Sequence, residues 1–170
     1  MADTGFKTTG NVVSSAWTTP ITTTRINTSD DSRALARGTA PQSSTVNNFA
    51  FGVPAGATID GIEAVAEMSV SNASYGAQID VYLSWNNGAN WSAAKSDTSG
   101  TTVDADKTLG GAADLWGHSW VDSELADGTF LVQIDGRTNG AGIDCRLDFF
   151  RIKVYYTEAG GNTGSMLLVF

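Results

Sequence analysis

The sequence IEAVAEMSV at residues 62–70 decides the fold, because its side chains alternate strictly between two faces. One parity is apolar throughout: Ile62, Ala64, Ala66, Met68 and Val70. The other carries Glu63, Val65, Glu67 and Ser69. A period of two over this length predicts a β-strand with one face on the core.

The same period recurs along the chain. Residues 79–85 and 130–134 predict two more strands, and shorter strands are predicted at 34–37 and 46–51. Residues 143–156 predict the longest strand, but the parity of Asp144, Arg146 and Asp148 conflicts with that of the apolar residues after them. We therefore expect a β-bulge near Leu147. One helical turn is predicted at 121–125, and residues 92–116 read as loop.

Composition supports an all-β chain and argues against nucleic acid. The 170 residues include 19 glycines, which short strands joined by many turns require. The net charge is −8, and the ten Lys and Arg residues are mostly scattered, so no phosphate-binding surface is predicted. The fold class is predicted to be an all-β, antiparallel sandwich of jelly-roll type, in a single domain.

Three features of the sequence bear on cellular location: the first residues, the lengths of the apolar stretches and the cysteine count. The first residues lack the basic region and apolar run of a signal peptide, and no stretch reaches the roughly 20 apolar residues of a membrane span. With Cys145 as the only cysteine, no intrachain disulfide can form. We expect synthesis in a cytoplasm and no membrane partner.

Three segments are predicted. Residues 1–31 form a partly extended N-terminal arm, residues 32–157 the β-sandwich domain, and residues 158–170 a Gly-rich linker with an apolar C-terminal strand. The tail needs an apolar partner, either on its own sandwich or on another subunit. Assembly contacts are predicted at Met166, Leu167, Leu168, Val169, Phe170, Val12, Val13 and Trp17.

Candidates for catalysis are few. The single histidine, His118, lies between Trp116 and Trp120 without a nucleophile elbow, and we interpret it as a loop residue. Glu63 and Glu67 resemble the Glu-x-Asp-x-Glu pair of jelly-roll glucanases, but Val65 replaces the central Asp. We therefore expect no catalytic residues.

Metal and sugar sites were the other possibilities. Asp97, Asp104, Asp106 and Asp114 offer oxygen ligands but lack EF-hand spacing, so no metal and no cofactor are expected. Residues 84–91, SWNNGANW, resemble the Asp-box hairpin of sialidases, with Asn86 in place of the Asp and Asn90 in place of the Thr, and this resemblance implies a tight hairpin capped by Trp91. Aromatic side chains in loops could stack on sugar rings. The possible glycan contacts are Trp91, Trp116 and Trp120, although plugging of loops is the favoured role.

Three stretches together resemble phage-associated β-sandwich proteins: residues 49–62, the pair Gly110-Gly111 followed by residues 114–117, and residues 149–157. The resemblance covers residues 32–157, and the proteins concerned include capsid decoration (cement) and tail-associated proteins of tailed bacteriophages. It implies a noncatalytic virion structural protein.

Capsid decoration on the outer surface of a phage head is the function we expect from this resemblance. The partners would be the major capsid protein, further copies of the chain in a homo-oligomer such as a trimer, or both. Two alternatives stay open. One is a tail-fibre or baseplate module that binds a receptor or glycan, and the other is an extracellular fibre subunit that donates a strand.

Overall fold

Two antiparallel sheets of five strands each make up the computed structural model, which describes residues 1–160. The strands are β1 Ala2–Asp3, β2 Asn11–Ser15, β3 Ala34–Arg37, β4 Gln42–Asn47, β5 Thr58–Val70, β6 Ala77–Ser84, β7 Lys95–Ser99, β8 Ala105–Gly111, β9 Leu131–Thr138 and β10 Asp144–Thr157. A short α-helix, α1, spans Thr23–Ile26, and a 3-10 helix spans Asp122–Leu125. Within residues 1–160, no helix is both long and apolar enough to cross a bilayer.

The first sheet has the order β1-β10-β5-β8, with β3 also paired to β10, and the second has the order β2-β4-β9-β6-β7. Their apolar faces pack on each other, as expected for a sandwich. The predicted antiparallel β-sandwich of jelly-roll type is confirmed.

The alternation at residues 62–70 forms as predicted on β5. Ile62, Ala64, Ala66 and Met68 are completely buried between the sheets. On the neighbouring strand β10, Phe150, Ile152 and Val154 are buried on the same side, paired with Ala66, Ala64 and Ile62. These apolar pairs form the centre of the core.

The predicted bulge is confirmed. The register of β10 against β5 shifts between Leu147, opposite Met68, and Phe149, opposite Glu67. Asp148 is the extra residue, and the shift lets both Leu147 and Phe150 face the core.

The N-terminal segment differs from the predicted arm. β1 pairs with β10 in the first sheet, and β2 pairs with β4 in the second. Trp17, Ile21 and Ile26 are buried in the core. Residues 1–31 are therefore integrated into both sheets, and the expected boundary at Ser32 is corrected.

Two other local predictions are corrected. Residues 92–116, expected to be loop, contain β7 and β8, whose Ser, Thr and Asp residues hide the strand pattern. The helical turn predicted at 121–125 is present, but α1 was not predicted. The C-terminal residues from 161 to 170, including the predicted apolar strand, lie outside the described residues.

Gly136 on β9 provides a test of the core packing. A Cβ at this position would lie 2.7 Å from Trp17 Cζ2 and 2.8 Å from Ala36 Cβ, both in tightly packed surroundings. We expect Gly136→Ala to lower the free energy of unfolding by about 1–3 kcal/mol, because overpacking forces side chains out of place. Urea denaturation measures the change.

Gly100→Ala is the matched control, because a Cβ there meets nothing within 4 Å. Its free energy of unfolding should stay within about 0.5 kcal/mol of the parent or rise slightly. Equal losses in both variants would contradict the packing described for Trp17.

Candidate functional site

The outward surface of the second sheet carries a continuous group of polar side chains on its two central strands. Alternation turns Ile79, Val81 and Leu83 of β6 into the core, so the residues between them face outward. We define the polar face as Gln78, Asp80 and Tyr82 of β6 with Gln133, Asp135 and Arg137 of β9. Register pairs them directly as Gln78 with Arg137, Asp80 with Asp135, and Tyr82 with Gln133.

Asp80 organises one half of the polar face. Its Oδ1 accepts hydrogen bonds from Gln78 Nε2 at 2.7 Å and from the Ser96 hydroxyl at 2.5 Å. Its Oδ2 accepts one from Arg137 Nη1 at 2.5 Å. The Asp80 side chain is 5% exposed and that of Arg137 30% exposed, so solvent screens this ion pair only in part. These bonds hold Gln78 and Arg137 in fixed orientations at the surface.

Asp135 organises the other half. Its Oδ1 accepts a hydrogen bond from Gln133 Nε2 at 3.0 Å, and Tyr82 lies across the strand pair from Gln133. Partial burial raises the pKa of the Tyr82 phenol, and the nearby carboxylates of Asp135 and Asp80 raise it further, whereas Arg137 lowers it. The Tyr82 side chain is half-buried.

Trp91 borders the polar face at one end. A Cβ on Gly88 would lie 3.6 Å from Trp91 Cζ2 and 3.4 Å from Leu131 Cδ1, so the indole lies near Leu131. Leu131 pairs with Ser84, and this pair follows the pair of Tyr82 and Gln133 on the same side of the sheet. Trp91 is half-buried. Of the three predicted glycan contacts, it alone lies at the surface.

The turn that places Trp91 forms, but the tight hairpin expected there does not, because residues 85–94 separate β6 from β7. Asn87 and Gly88 both have positive φ, 55° and 85°, which their residue types favour. Ser84 Oγ accepts a hydrogen bond from Gly88 N at 2.8 Å, and Asn86 Oδ1 accepts one from Asn90 N at 2.7 Å. Asn86 therefore caps the turn, although β6 does not meet its partner β7 until Lys95.

Trp116 and Trp120 are corrected as glycan contacts, because both are buried. Trp116 is 4% exposed, and its Nε1 donates to Ile62 O at 2.9 Å. Trp120 is 6% exposed, and its Nε1 donates to Leu115 O at 2.8 Å. Both rings fill the core beneath the loop, which is the structural role favoured from the sequence.

His118 is held between aromatic rings. It stacks on Trp85 with 3.9 Å between ring centroids and meets Trp120 edge-on at 4.9 Å. Its Nε2 lies 3.0 Å from Glu124 Oε2. These contacts fit a residue that fixes a loop.

Glu63 and Glu67 lie on the outer face of the first sheet, but each has its own partner. Glu63 accepts a hydrogen bond from the Tyr155 hydroxyl at 2.5 Å and faces Lys153 Nζ at 3.7 Å. Glu67 accepts one from the Ser29 hydroxyl at 3.1 Å.

The predicted assembly residues take different positions. Trp17 is buried, so the structure corrects it as a surface contact, whereas Val12 is partly buried and packs against the core. Val13 is 53% exposed on β2, at the edge of the second sheet. Met166, Leu167, Leu168, Val169 and Phe170 lie outside the described residues. Association through Val13 or the tail stays a prediction.

The acidic loop residues are separated. Asp106 pairs with Arg151 at 2.6 Å and Asp114 with Lys95 at 2.7 Å, whereas Asp104 lies next to Asp31 and Asp148. Of the four aspartates considered from the sequence, only Asp104 belongs to a cluster of carboxylates in the described part of the chain.

No protein-family model and no curated protein matches the chain. Among solved structures, it is similar to a CBM32 of AlyQ in complex with 4,5-unsaturated mannuronic acid, with 14% identity and a TM-score of 0.45 over 85% of this chain and 96% of the other. It is also similar to the CBM22-1 xylan-binding domain from Paenibacillus barcinonensis Xyn10C, with 13% identity and a TM-score of 0.43 over 91% and 88% of the two chains. A xylan-binding module, CBM15, gives 15% identity and a TM-score of 0.36 over 91% and 92%. Likeness at this level assigns no function.

Sequence reasoning missed the polar face. Gln78, Asp80 and Tyr82 alternate with Ile79 and Val81, so their outward position was available from the period of two. Their pairing with Gln133, Asp135 and Arg137 was not, because it depends on the register between β6 and β9.

The Tyr82 phenol reports on the polar face directly. We expect an alkaline titration followed by ultraviolet absorbance to contain a component above the ordinary tyrosine pKa that Tyr82→Phe removes. Asp135→Asn should lower the pKa of this component, because it removes a negative charge that disfavours the phenolate. Asp60→Asn, at the start of β5, is the control and should leave this pKa unchanged. An unchanged pKa in Asp135→Asn would contradict the described effect of the Asp135 carboxylate on Tyr82.

Proposed function

We propose that the chain is a noncatalytic carbohydrate-binding module that binds a neutral polysaccharide on the polar face. The observation that carries the proposal is the pair of hydrogen-bonded groups beside the half-buried Tyr82, one of Gln78, Asp80 and Arg137 and the other of Gln133 and Asp135. The polar face therefore supports the glycan-binding module that the sequence left open as an alternative, although the contact residues differ from those predicted.

The chemistry of this surface suits sugars. A sugar ring presents hydroxyl groups at its edge and apolar C–H groups on its face. Amide and guanidinium groups bind hydroxyls through directional hydrogen bonds, and an aromatic ring stacks on the C–H face. The polar face offers both kinds of contact in adjacent rows.

The side chains are also fixed before a ligand arrives. Asp80 and Asp135, each less than 9% exposed, hold the amides of Gln78 and Gln133 and the guanidinium of Arg137. A ligand therefore orders few side chains on binding, which lowers the entropic cost.

The size of the surface indicates an oligosaccharide. Six residue steps from Gln78 to Ser84 along β6 span about 20 Å at roughly 3.4 Å per residue. At the Gln78 end lies a depression of about 160 Å³ lined by Gln78, Thr98, Arg137 and Asn139. Binding should accordingly tighten with chain length.

The charge of the molecule indicates a neutral ligand. The chain carries a net charge of −8, and the polar face contains two carboxylates and one guanidinium. An anionic polysaccharide would approach against this field.

The carboxylates fit binding better than hydrolysis. A general acid needs a carboxyl whose proton reaches the substrate. Asp80 instead accepts hydrogen bonds from three side chains, Gln78, Ser96 and Arg137, and is held beneath the surface that they form.

Capsid decoration, virion location and the capsid or trimer partners stay predictions. The large exposed apolar side chains in the described part of the chain lie in different segments, and only Val13 is on a strand: Met1, Phe6, Val13, Tyr75, Val103 and Val121. A docking surface on a capsid would require such residues to be contiguous. A tail-borne module could use the polar face equally, so glycan binding does not depend on where the chain is mounted.

Affinity electrophoresis in gels that contain single neutral polysaccharides (xylan, β-glucan, galactan and mannan) tests the proposal. We expect retardation by at least one. Titration calorimetry with oligosaccharides of that polymer should show Tyr82→Ala to bind at least about tenfold more weakly, because loss of an aromatic contact costs on the order of 1.4 kcal/mol or more.

Tyr155→Ala is the matched control, since Tyr155 is a half-buried tyrosine on the outer face of the first sheet. It should retain the affinity of the parent chain. Absence of retardation in every gel, equal losses in both variants, or release of shorter sugars from the polymer would each refute the proposed function.

A further inference from the structure

A second polar site lies where the α1–β3 loop, the β7–β8 loop and the bulge of β10 meet. Asp31, Asp104 and Asp148 belong to these three segments, and one carboxylate oxygen from each lies within 4.8 Å of the other two. Asp30 and Glu67 line the same depression, which has a volume of about 360 Å³. This site is separate from the polar face, because it is built on the first sheet.

The hydrogen bonds leave two buried oxygens without partners. Asp148 is 1% exposed; its Oδ2 accepts a hydrogen bond from the Asp31 backbone N at 3.1 Å, while its Oδ1 has no partner among the described residues. The Asp104 side chain is 10% exposed; its Oδ2 accepts hydrogen bonds from Arg33 Nε and Nη2 at 2.8 and 2.5 Å, and its Oδ1 likewise has none. A buried, unpaired carboxylate oxygen is expensive.

Arg33 neutralises this site only in part. Its guanidinium donates to Asp104 Oδ2 through Nε and Nη2 and to Asp31 Oδ1 through Nη2, and Asp104 Oδ1 stays unpaired. One arginine therefore faces three clustered carboxylates, with Asp30 and Glu67 nearby.

We propose that Asp31, Asp104 and Asp148 bind a calcium ion. Calcium takes carboxylate oxygens in flexible geometries and completes its shell with water, which suits a cluster with one exposed, one partly buried and one buried member. The two unpaired oxygens, Asp104 Oδ1 and Asp148 Oδ1, supply the buried ligands. The ion ties together three segments that are far apart in sequence and so stabilises the fold.

The position of Asp148 agrees with such a role. The residue is the extra member of the β10 bulge, where the alternation that sends Leu147 and Phe150 to the core leaves one side chain free to point elsewhere. The ionised form of Asp148 is also disfavoured, because burial raises the pKa of its carboxyl and the charges of Asp104 and Asp30 raise it further. The Asp31 backbone N–H and Arg33 lower this pKa, but the net direction is upward.

Two explanations of the cluster give opposite results. If calcium neutralises it, the ion stabilises the protein near neutral pH. If a proton on Asp148 neutralises it instead, calcium has no effect on stability. The free energy of unfolding then rises on acidification and falls as the pH rises through the raised pKa of Asp148.

The experiment titrates the full chain, freed of metal with EDTA, with CaCl₂ by calorimetry, and follows Tm by calorimetric scanning at neutral pH. Sodium chloride of equal ionic strength and MgCl₂ are the ion controls. We expect one site per chain and a rise in Tm of roughly 5–10 °C when calcium exceeds its Kd about 100-fold. Magnesium should give a smaller rise, because it demands stricter octahedral geometry.

Asp148→Asn keeps the shape of the side chain and removes its charge. We expect this variant to fold, to lose calcium binding at least tenfold, and to match or exceed the metal-free parent in Tm, because the buried charge is gone. Asp60→Asn is the matched control at the opposite end of β5 and should keep the full response. Absence of calcium heat in the parent chain, or an Asp148→Asn variant that still responds fully, would overturn the proposal.

Discussion

Pairing between β5 and β10 is the constraint on which the rest of the molecule depends. The two strands span Thr58–Val70 and Asp144–Thr157 and pair antiparallel along almost their whole length. Their alternation puts Ile62, Ala64 and Ala66 against the second sheet, where the buried apolar residues of β6 and β9 pack on them. Burial of this shared apolar area is the main driving force for the sandwich.

The free edge of β10 is covered in sections rather than by one strand. β1 and Lys7 pair with its C-terminal half, Asn27 forms a bridge to Phe149, and β3 pairs with its N-terminal end. An uncovered edge of this length would offer a template for aggregation. The N-terminal residues thus belong to the fold because β10 requires them.

Sequence patterns were sufficient where one face of a strand is apolar. β5, β6, β9 and β10 follow from their period of two, and the conflict of parity before Phe149 predicted the bulge near Leu147, one residue from its position at Asp148. β7 and β8 could not be predicted in the same way. Their sequences, KSDTS and ADKTLGG, contain little apolar material, and the strands exist because β6 and β5 offer them hydrogen-bonding partners.

The candidate sites show a different limit. The sequence offered Trp116 and Trp120 either as plugs beneath loops or as surface contacts for a glycan. Both are buried, and their Nε1 atoms donate to backbone carbonyls, which agrees with the plugging role. The polar face depends on the register of two strands, and the acidic cluster on three segments distant in sequence. Such juxtapositions are fixed by tertiary pairing and are invisible to a local pattern.

The polar face is the surface on which the functional account depends, and its occupancy can be mapped residue by residue. The most direct measurement is NMR mapping of the amide chemical shifts of the labelled chain during titration with an oligosaccharide. The oligosaccharide is taken from the neutral polysaccharide that retards the chain in affinity gels. The account predicts that the shifted amides cluster on β6 and β9 around Tyr82 and Gln133 and leave the outer face of the first sheet unchanged. Shifts confined to the first sheet or to the loop of Trp116, or none at saturating ligand, would contradict it.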